Sequence, residues 1–80
     1  MASVTLYTRQ ACCLCDDAKQ VLAEARRRVP FDYSEVDIDA DPELRRQYND
    51  DIPVIAIDGA KAFQHRVRLE DLLARLAARP

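Results

Sequence analysis

The sequence predicts an α/β fold: a four-stranded mixed sheet flanked by helices, in the order β-α-β-α-β-β-α. Three observations carry that prediction. An apolar stripe at helical spacing follows a β-rich start and stops at Pro30, and a strand-helix-strand unit of this kind closes as a parallel pair with a right-handed crossover. Val54-Ile55-Ala56-Ile57 is a continuous apolar run, the pattern of a central strand buried on both faces. Asp58-Gly59 follows it, a two-residue turn that needs positive φ angles and adds an antiparallel hairpin.

The elements follow in order. Ser3 to Tyr7 mixes β-branched, aromatic and small residues and reads as a strand. From Cys13 onward, Leu14, Ala18, Val21, Leu22, Ala25 and Val29 recur on one helical face. Asp16 and Asp17 stand in its first turn and Arg26 to Arg28 in its last, both matched to the helix dipole. Phe31 to Ile38 is the second strand, with an alternation that slips near Ser34-Glu35. Asp41-Pro42-Glu43 starts a short helix: an Asp cap, a proline whose missing N–H costs nothing there, then an acid. Leu44 and Tyr48 form its apolar side, and Asn49-Asp50-Asp51 breaks it. Val54 to Ile57 and Ala60 to Phe63 form the hairpin. A last helix begins near Arg68 or Leu69, with Leu69, Leu72, Leu73 and Leu76 as its stripe.

The chain has 80 residues, read as one domain over 1–80. At this size folding buries only about 60% of the unfolded chain's surface, so the core must be economical. With 49% hydrophobic and 32% charged residues it has the composition of a folded globular protein, not a disordered one. A net charge of −2 argues against nucleic acid as a partner. The Arg26-Arg27-Arg28 and Arg45-Arg46 clusters have acids interspersed and read as solvated helix faces. The single glycine, Gly59, excludes the glycine-rich loops that cradle phosphates. Met1-Ala2-Ser3 runs straight into the first strand, without a signal peptide or membrane span. Three cysteines fit a secreted disulfide framework poorly. The expected location is the cytoplasm, where thiols are kept reduced.

The chemistry is concentrated in Tyr7-Thr8-Arg9-Gln10-Ala11-Cys12-Cys13-Leu14-Cys15-Asp16. Cys12 and Cys15 form a Cys-x-x-Cys pair where the first helix begins, a pattern suited to reversible thiol–disulfide exchange. The thiolate is the attacking species, and a helix N-terminus attracts negative charge. In open α/β sheets ligands bind beyond the carboxyl ends of strands, which is where Cys12 falls. Cys13 reads as a small residue of the first turn. A third thiol nevertheless keeps open a soft-metal or iron–sulfur carrier, and a non-catalytic interaction module is the remaining alternative. No closed four-cysteine zinc site is available within one chain, and no metal ligand is assigned. His65 reads as a surface residue, and Asp37 and Asp39 as serving a turn rather than a cation.

The order of Val4-Thr5-Leu6-Tyr7-Thr8-Arg9, Cys12-Cys13-Leu14-Cys15-Asp16, Val36-Asp37-Ile38-Asp39 with Asp41-Pro42, and Ile52-Pro53-Val54 resembles the thioredoxin superfamily. Within it the sequence is most similar to the glutaredoxins and the small bacterial glutaredoxin-like proteins, over nearly the whole chain. The resemblance implies a thioredoxin fold and a thiol–disulfide oxidoreductase, with Cys12 the nucleophile and Cys15 the resolving thiol. It implies a cis-proline at Pro53 facing the dithiol, with the backbone of Ile52 exposed to pair with an extended substrate segment. Arg9 matches a position that is usually basic and binds a carboxylate. Arg9, Ile52, Pro53 and Val54 are therefore the expected substrate-binding residues. Protein disulfides or glutathione mixed disulfides are the expected partners, and a cellular thiol system the reductant. No tightly bound cofactor is expected, with glutathione a candidate co-substrate.

Two departures bear on the substrate. Glutaredoxins that use glutathione typically carry Pro-Tyr between the thiols and a Gly-Gly pair after the last strand. Here Cys13-Leu14 stand between the thiols, and Gln64-His65-Arg66-Val67 follow Phe63. Asp50 and Asp51 beside the groove would repel an anionic tripeptide, and Arg66 would offset them in part.

Overall fold

In the first strand, β1 (Ala2–Thr8), Ala2, Val4, Leu6 and Thr8 are buried while Ser3, Thr5 and Tyr7 turn to the other face. That period of two sets the layering of everything else. The structure is a computed structural model that describes residues 2–78; Met1, Arg79 and Pro80 lie outside the described residues. The chain continues through α1 (Cys13–Arg28), β2 (Phe31–Asp37), a 3₁₀ turn (Ile38–Ala40), α2 (Pro42–Tyr48), β3 (Val54–Ile57), β4 (Ala60–Gln64) and α3 (Leu69–Ala77). The predicted β-α-β-α-β-β-α order is the observed one.

The strands lie in the order β2-β1-β3-β4. β1 pairs with β2 in parallel, and β3 runs antiparallel to both β1 and β4. β2 and β4 are thus the two borders of the sheet. α1 and α3 cover one face and pack on each other. Between them and the sheet lies the core, built on Val4, Leu6, Ala18, Leu22, Ala25, Phe31, Ile55, Leu72 and Leu76. The opposite face is covered by α2, through the Tyr48 ring packed on Tyr7 with centroids 4.8 Å apart and tilted by 36°. No residue of α2 is fully buried, and Leu44 and Tyr48 are half-buried. The second helical layer is therefore thin. Among the described residues no helix is long and apolar enough to cross a membrane.

The local signals behave as their chemistry requires. Asp41 caps α2 by accepting the Glu43 N–H at 2.9 Å. Asp58 (φ 53°) and Gly59 (φ 86°) both occupy the left-handed region that a two-residue hairpin turn needs.

Two expectations are corrected. Val29 does not belong to the buried stripe of α1: it caps the helix, its N–H bonding Ala25 O at 2.9 Å, and is exposed. β2 ends at Asp37 rather than Ile38, because the Asp37 carboxylate accepts the Asp39 N–H at 2.9 Å and bends the chain into the 3₁₀ turn, where Ile38 is buried. The alternation of β2 does slip at Ser34-Glu35, where two successive residues are exposed, and the parallel register continues through it with Thr5↔Ser34 and Leu6↔Glu35.

Candidate dithiol site

Thr8 is the last residue of β1, and three residues carry the chain from there to Cys12. Ala11 turns it with a left-handed φ of 56°, a conformation uncommon outside glycine. Cys12 is then extended (φ −111°, ψ 111°) and serves as the N-cap of α1. Its sulfur accepts the Cys15 N–H at 3.3 Å, and its carbonyl accepts the Asp16 N–H at 3.1 Å. The sulfur thus stands where a serine or aspartate oxygen usually caps a helix, facing the positive end of the dipole.

The three thiols are free and differ in access. Cys12 is half-buried, Cys13 is exposed, and Cys15 is fully buried. Cys15 belongs to the inner face of α1 with Ala18, Leu22 and Ala25, a spacing that the stripe read from the sequence left out. Burial first, then the hydrogen bond with Cys12, hold the Cys15 thiol above its ordinary range; the Thr8 hydroxyl and the Arg9 backbone draw it part of the way back.

The Ile52–Pro53 peptide bond is cis. Val54 pairs opposite Tyr7, so Pro53 lies level with Thr8, at the end of the sheet where α1 begins. The cis-proline and the dithiol therefore share one end of the molecule. The surroundings of Pro53 are more occupied than expected. The Ile52 N–H donates to Tyr48 O at 3.2 Å, and Pro53 O accepts the His65 N–H at 2.9 Å. Only the carbonyl side of Ile52 is left for an added strand. Pro53 and Val54 are fully buried, so the Val54 side chain supports the sheet and presents nothing at the surface.

Arg9 does not present a free guanidinium either. Its Nη2 and Nε bond both carboxylate oxygens of Asp39, at 2.8 and 3.2 Å, and Nη2 also reaches Asn49 Oδ1 at 2.9 Å. The fork that would hold a substrate carboxylate is filled by an internal one. The hydrogen bond from Arg9, foremost, pulls the Asp39 carboxyl below its ordinary range, and Arg45 at 3.8 Å adds to it. The result is a clamp joining the loop before Cys12, the 3₁₀ turn and the end of α2.

His65 is exposed, as expected, but it also serves as a latch. Its φ is 66°, and Arg66 N–H bonds Gln64 O at 2.8 Å across it in a three-residue turn. Its backbone N–H reaches both Pro53 O and Asp51 O, and its Nε2 lies 2.9 Å from Asp50 O. A small cavity of about 150 Å³ lies beside it, between Leu14 and Asp17 of α1 and Arg66 and Val67. A larger one of about 350 Å³ lies farther along α1, between Leu22, Arg26 and Tyr33, away from the thiols. Among the described residues, no three His, Cys, Asp or Glu side chains gather closely enough to hold a metal ion.

The glutaredoxin-like domain family (DUF836) matches residues 3–77. The chain belongs to the glutaredoxin-like family. A relative from Mycobacterium tuberculosis, itself uncharacterized, is 31% identical over 77 residues, covering 84% of this chain and 79% of its own. Among solved structures, a structural-genomics target from X. campestris is 35% identical, with a TM-score of 0.80 over 96% of this chain and 99% of that one. Desulfothioredoxin from Desulfovibrio vulgaris Hildenborough is 25% identical, with a TM-score of 0.74 over 98% and 81%. The glutaredoxin-like chain thus has the thioredoxin fold. Thr8 is the residue of this site that the sequence reading passed over, and for His65 it read the exposure but not the bonds to Asp50, Asp51 and Pro53. For Thr8 a signal existed: it is a polar residue in phase with Ala2, Val4 and Leu6, the buried side of β1.

Proposed function

We propose that this glutaredoxin-like protein is a thiol–disulfide oxidoreductase that reduces protein disulfides in the cytoplasm. The observation that carries the reading is the asymmetry of the pair: Cys12 caps the helix from an accessible position, while Cys15, joined to it by the 3.3 Å N–H···S bond, is buried. Cys12 attacks a substrate disulfide as the thiolate, forming a mixed disulfide and releasing one substrate thiolate. Cys15 then attacks Cys12 Sγ, closing the Cys12–Cys15 disulfide and freeing the second substrate sulfur. A cellular thiol reductant returns the pair to the dithiol. The carbonyl of Ile52, next to the cis-Pro53 bond, holds an extended substrate segment during the first step.

Three features favour a protein substrate over glutathione. The Arg9 fork is taken by Asp39, Asp50 and Asp51 border the groove, and His65-Arg66 stand where a glycine pair would let the tripeptide approach. Glutathione then enters as the reductant of the oxidised pair, or is replaced there by a dithiol protein.

The test is insulin reduction with dithiothreitol as the electron source. Cys12→Ser should abolish the catalysed rate. Cys15→Ser should instead trap a mixed disulfide through Cys12, visible by mass. Turnover unchanged in Cys12→Ser would sink the proposal.

A further inference from the structure

Thr8 is the one buried polar side chain among the described residues, 6% exposed. It closes the inner face of β1, after Ala2, Val4 and Leu6. Cys15 opens the inner face of α1, before Ala18, Leu22 and Ala25, and is 0% exposed. Because α1 runs back along β1 as the crossover of a parallel pair, these two inner faces meet end to end, and the Thr8 hydroxyl lies within hydrogen-bonding reach of the Cys15 thiol. Apart from that contact, the hydroxyl's bond is a long one, to Arg9 O at 3.4 Å. A methyl in its place would suit this apolar setting better, which makes the hydroxyl the feature to explain.

The other groups facing Cys15 are few. Cys12 is the titratable one, and Arg9 contributes its backbone, with its guanidinium turned to Asp39. Asp16 and Asp17 on α1 are exposed. From the chain entering β3 comes Pro53, buried, apolar and level with Thr8. Among the described residues no carboxylate or ammonium acts on this sulfur, yet the resolving step puts a charge there.

We propose that Thr8 is a further catalytic residue of the dithiol site: its hydroxyl donates a hydrogen bond to Cys15 Sγ as that sulfur becomes a thiolate in the resolving step. The inference rests on the dithiol reading above. In that step Cys15 Sγ forms the new bond to Cys12 Sγ and the Cys12–substrate S–S bond breaks. Two electrons pass to the departing substrate sulfur, and the proton lost by Cys15 reaches it through water, so that a thiol leaves. The same donor then favours Cys15 as the leaving group when a reductant reopens the disulfide at Cys12.

The experiment uses the full chain with Cys13→Ser, so that the exposed third thiol does not report. Dithiobis-nitrobenzoate releases one coloured half when Cys12 attacks and the other when Cys15 resolves. With Thr8→Val, the second release should slow about fourfold, since losing one hydrogen bond to an ionised group lowers the thiolate fraction about tenfold while the freed thiolate attacks faster. Its pH dependence should move to higher pH, while the first release stays within about twofold. Thr8→Ser should restore both the rate and the profile. If Thr8→Val does not fold, Thr8→Ala against Thr8→Ser makes the same comparison. A second release with unchanged rate and pH profile in Thr8→Val, or one equally slow in Thr8→Ser, overturns the proposal. A parent that never releases the second half brings down the dithiol reading itself, and this inference with it.

Discussion

Three cysteines within four residues have three different environments, and their reactivity follows from backbone position alone. Cys13 points outward from the first turn of α1, Cys12 sits at the cap, and Cys15 turns inward. The thiolate is the reactive form, and Cys15 is both shielded and held above its ordinary range by burial and by Cys12. The sign is direct: at neutral pH Cys15 carries less thiolate than a free cysteine, and its reactivity is gained only as the pH rises. Iodoacetamide should therefore label Cys12 and Cys13 before Cys15 at pH 7, the lag of Cys15 shrinking at alkaline pH and vanishing in denaturant. Peptide mass spectrometry reads the order. Equal labelling of Cys12 and Cys15 in the native protein would contradict the burial on which the proposed roles depend.

The elements are short, and side-chain bonds between their ends hold the site together. The Arg9–Asp39 fork is the strongest of these by geometry. The Asp39 carboxyl titrates below its ordinary value, so its contribution to stability is present above the unfolded-state value of about 3.9 and is lost as the pH falls through the lower, folded one. Asp39→Asn should lower the thermal midpoint at neutral pH, and the gap to the parent should close as the solution is taken below about pH 4. A gap that persists in acid would mean that the asparagine costs something other than this pair. The elements themselves were legible in the sequence because each carries its own start and stop: Asp41-Pro42, Asp58-Gly59, Pro30. The clamp was not, because nothing in Arg9-Gln10 says which of 14 acidic residues the guanidinium meets. That choice depends on the 3₁₀ turn, which appears only once Asp37 has bonded its own backbone. The occupied N–H of Ile52 was hidden for the same reason, since it depends on where α2 ends.

At the scale of the molecule the two faces of the sheet are unequal. One carries two helices and nearly all of the core, the other a two-turn helix and a pair of tyrosine rings. Stability should therefore be sensitive on the first face. Leu72, fully buried where α3 meets the sheet, should cost about 2–5 kcal/mol when replaced by Ala, most of what a domain this small has to lose. Leu44→Ala, on the half-buried side of α2, should cost clearly less. Chemical denaturation of the two variants compares them, and equal losses would show that α2 carries more of the fold than its burial indicates.

The sheet also ends in two open borders, and they are guarded by opposite charges. β4 bears Lys61 and an irregular register opposite Ile55 and Ala56. β2 bears Asp32, Glu35 and Asp37 in a regular strand. A free border with unpaired backbone groups invites the edge of another chain, and charge is one of the means that discourage it. Acid removes the guard on β2 and leaves that on β4 in place. Acid should therefore expose one border of the sheet to association before the other, the one formed by the strand that begins at Phe31.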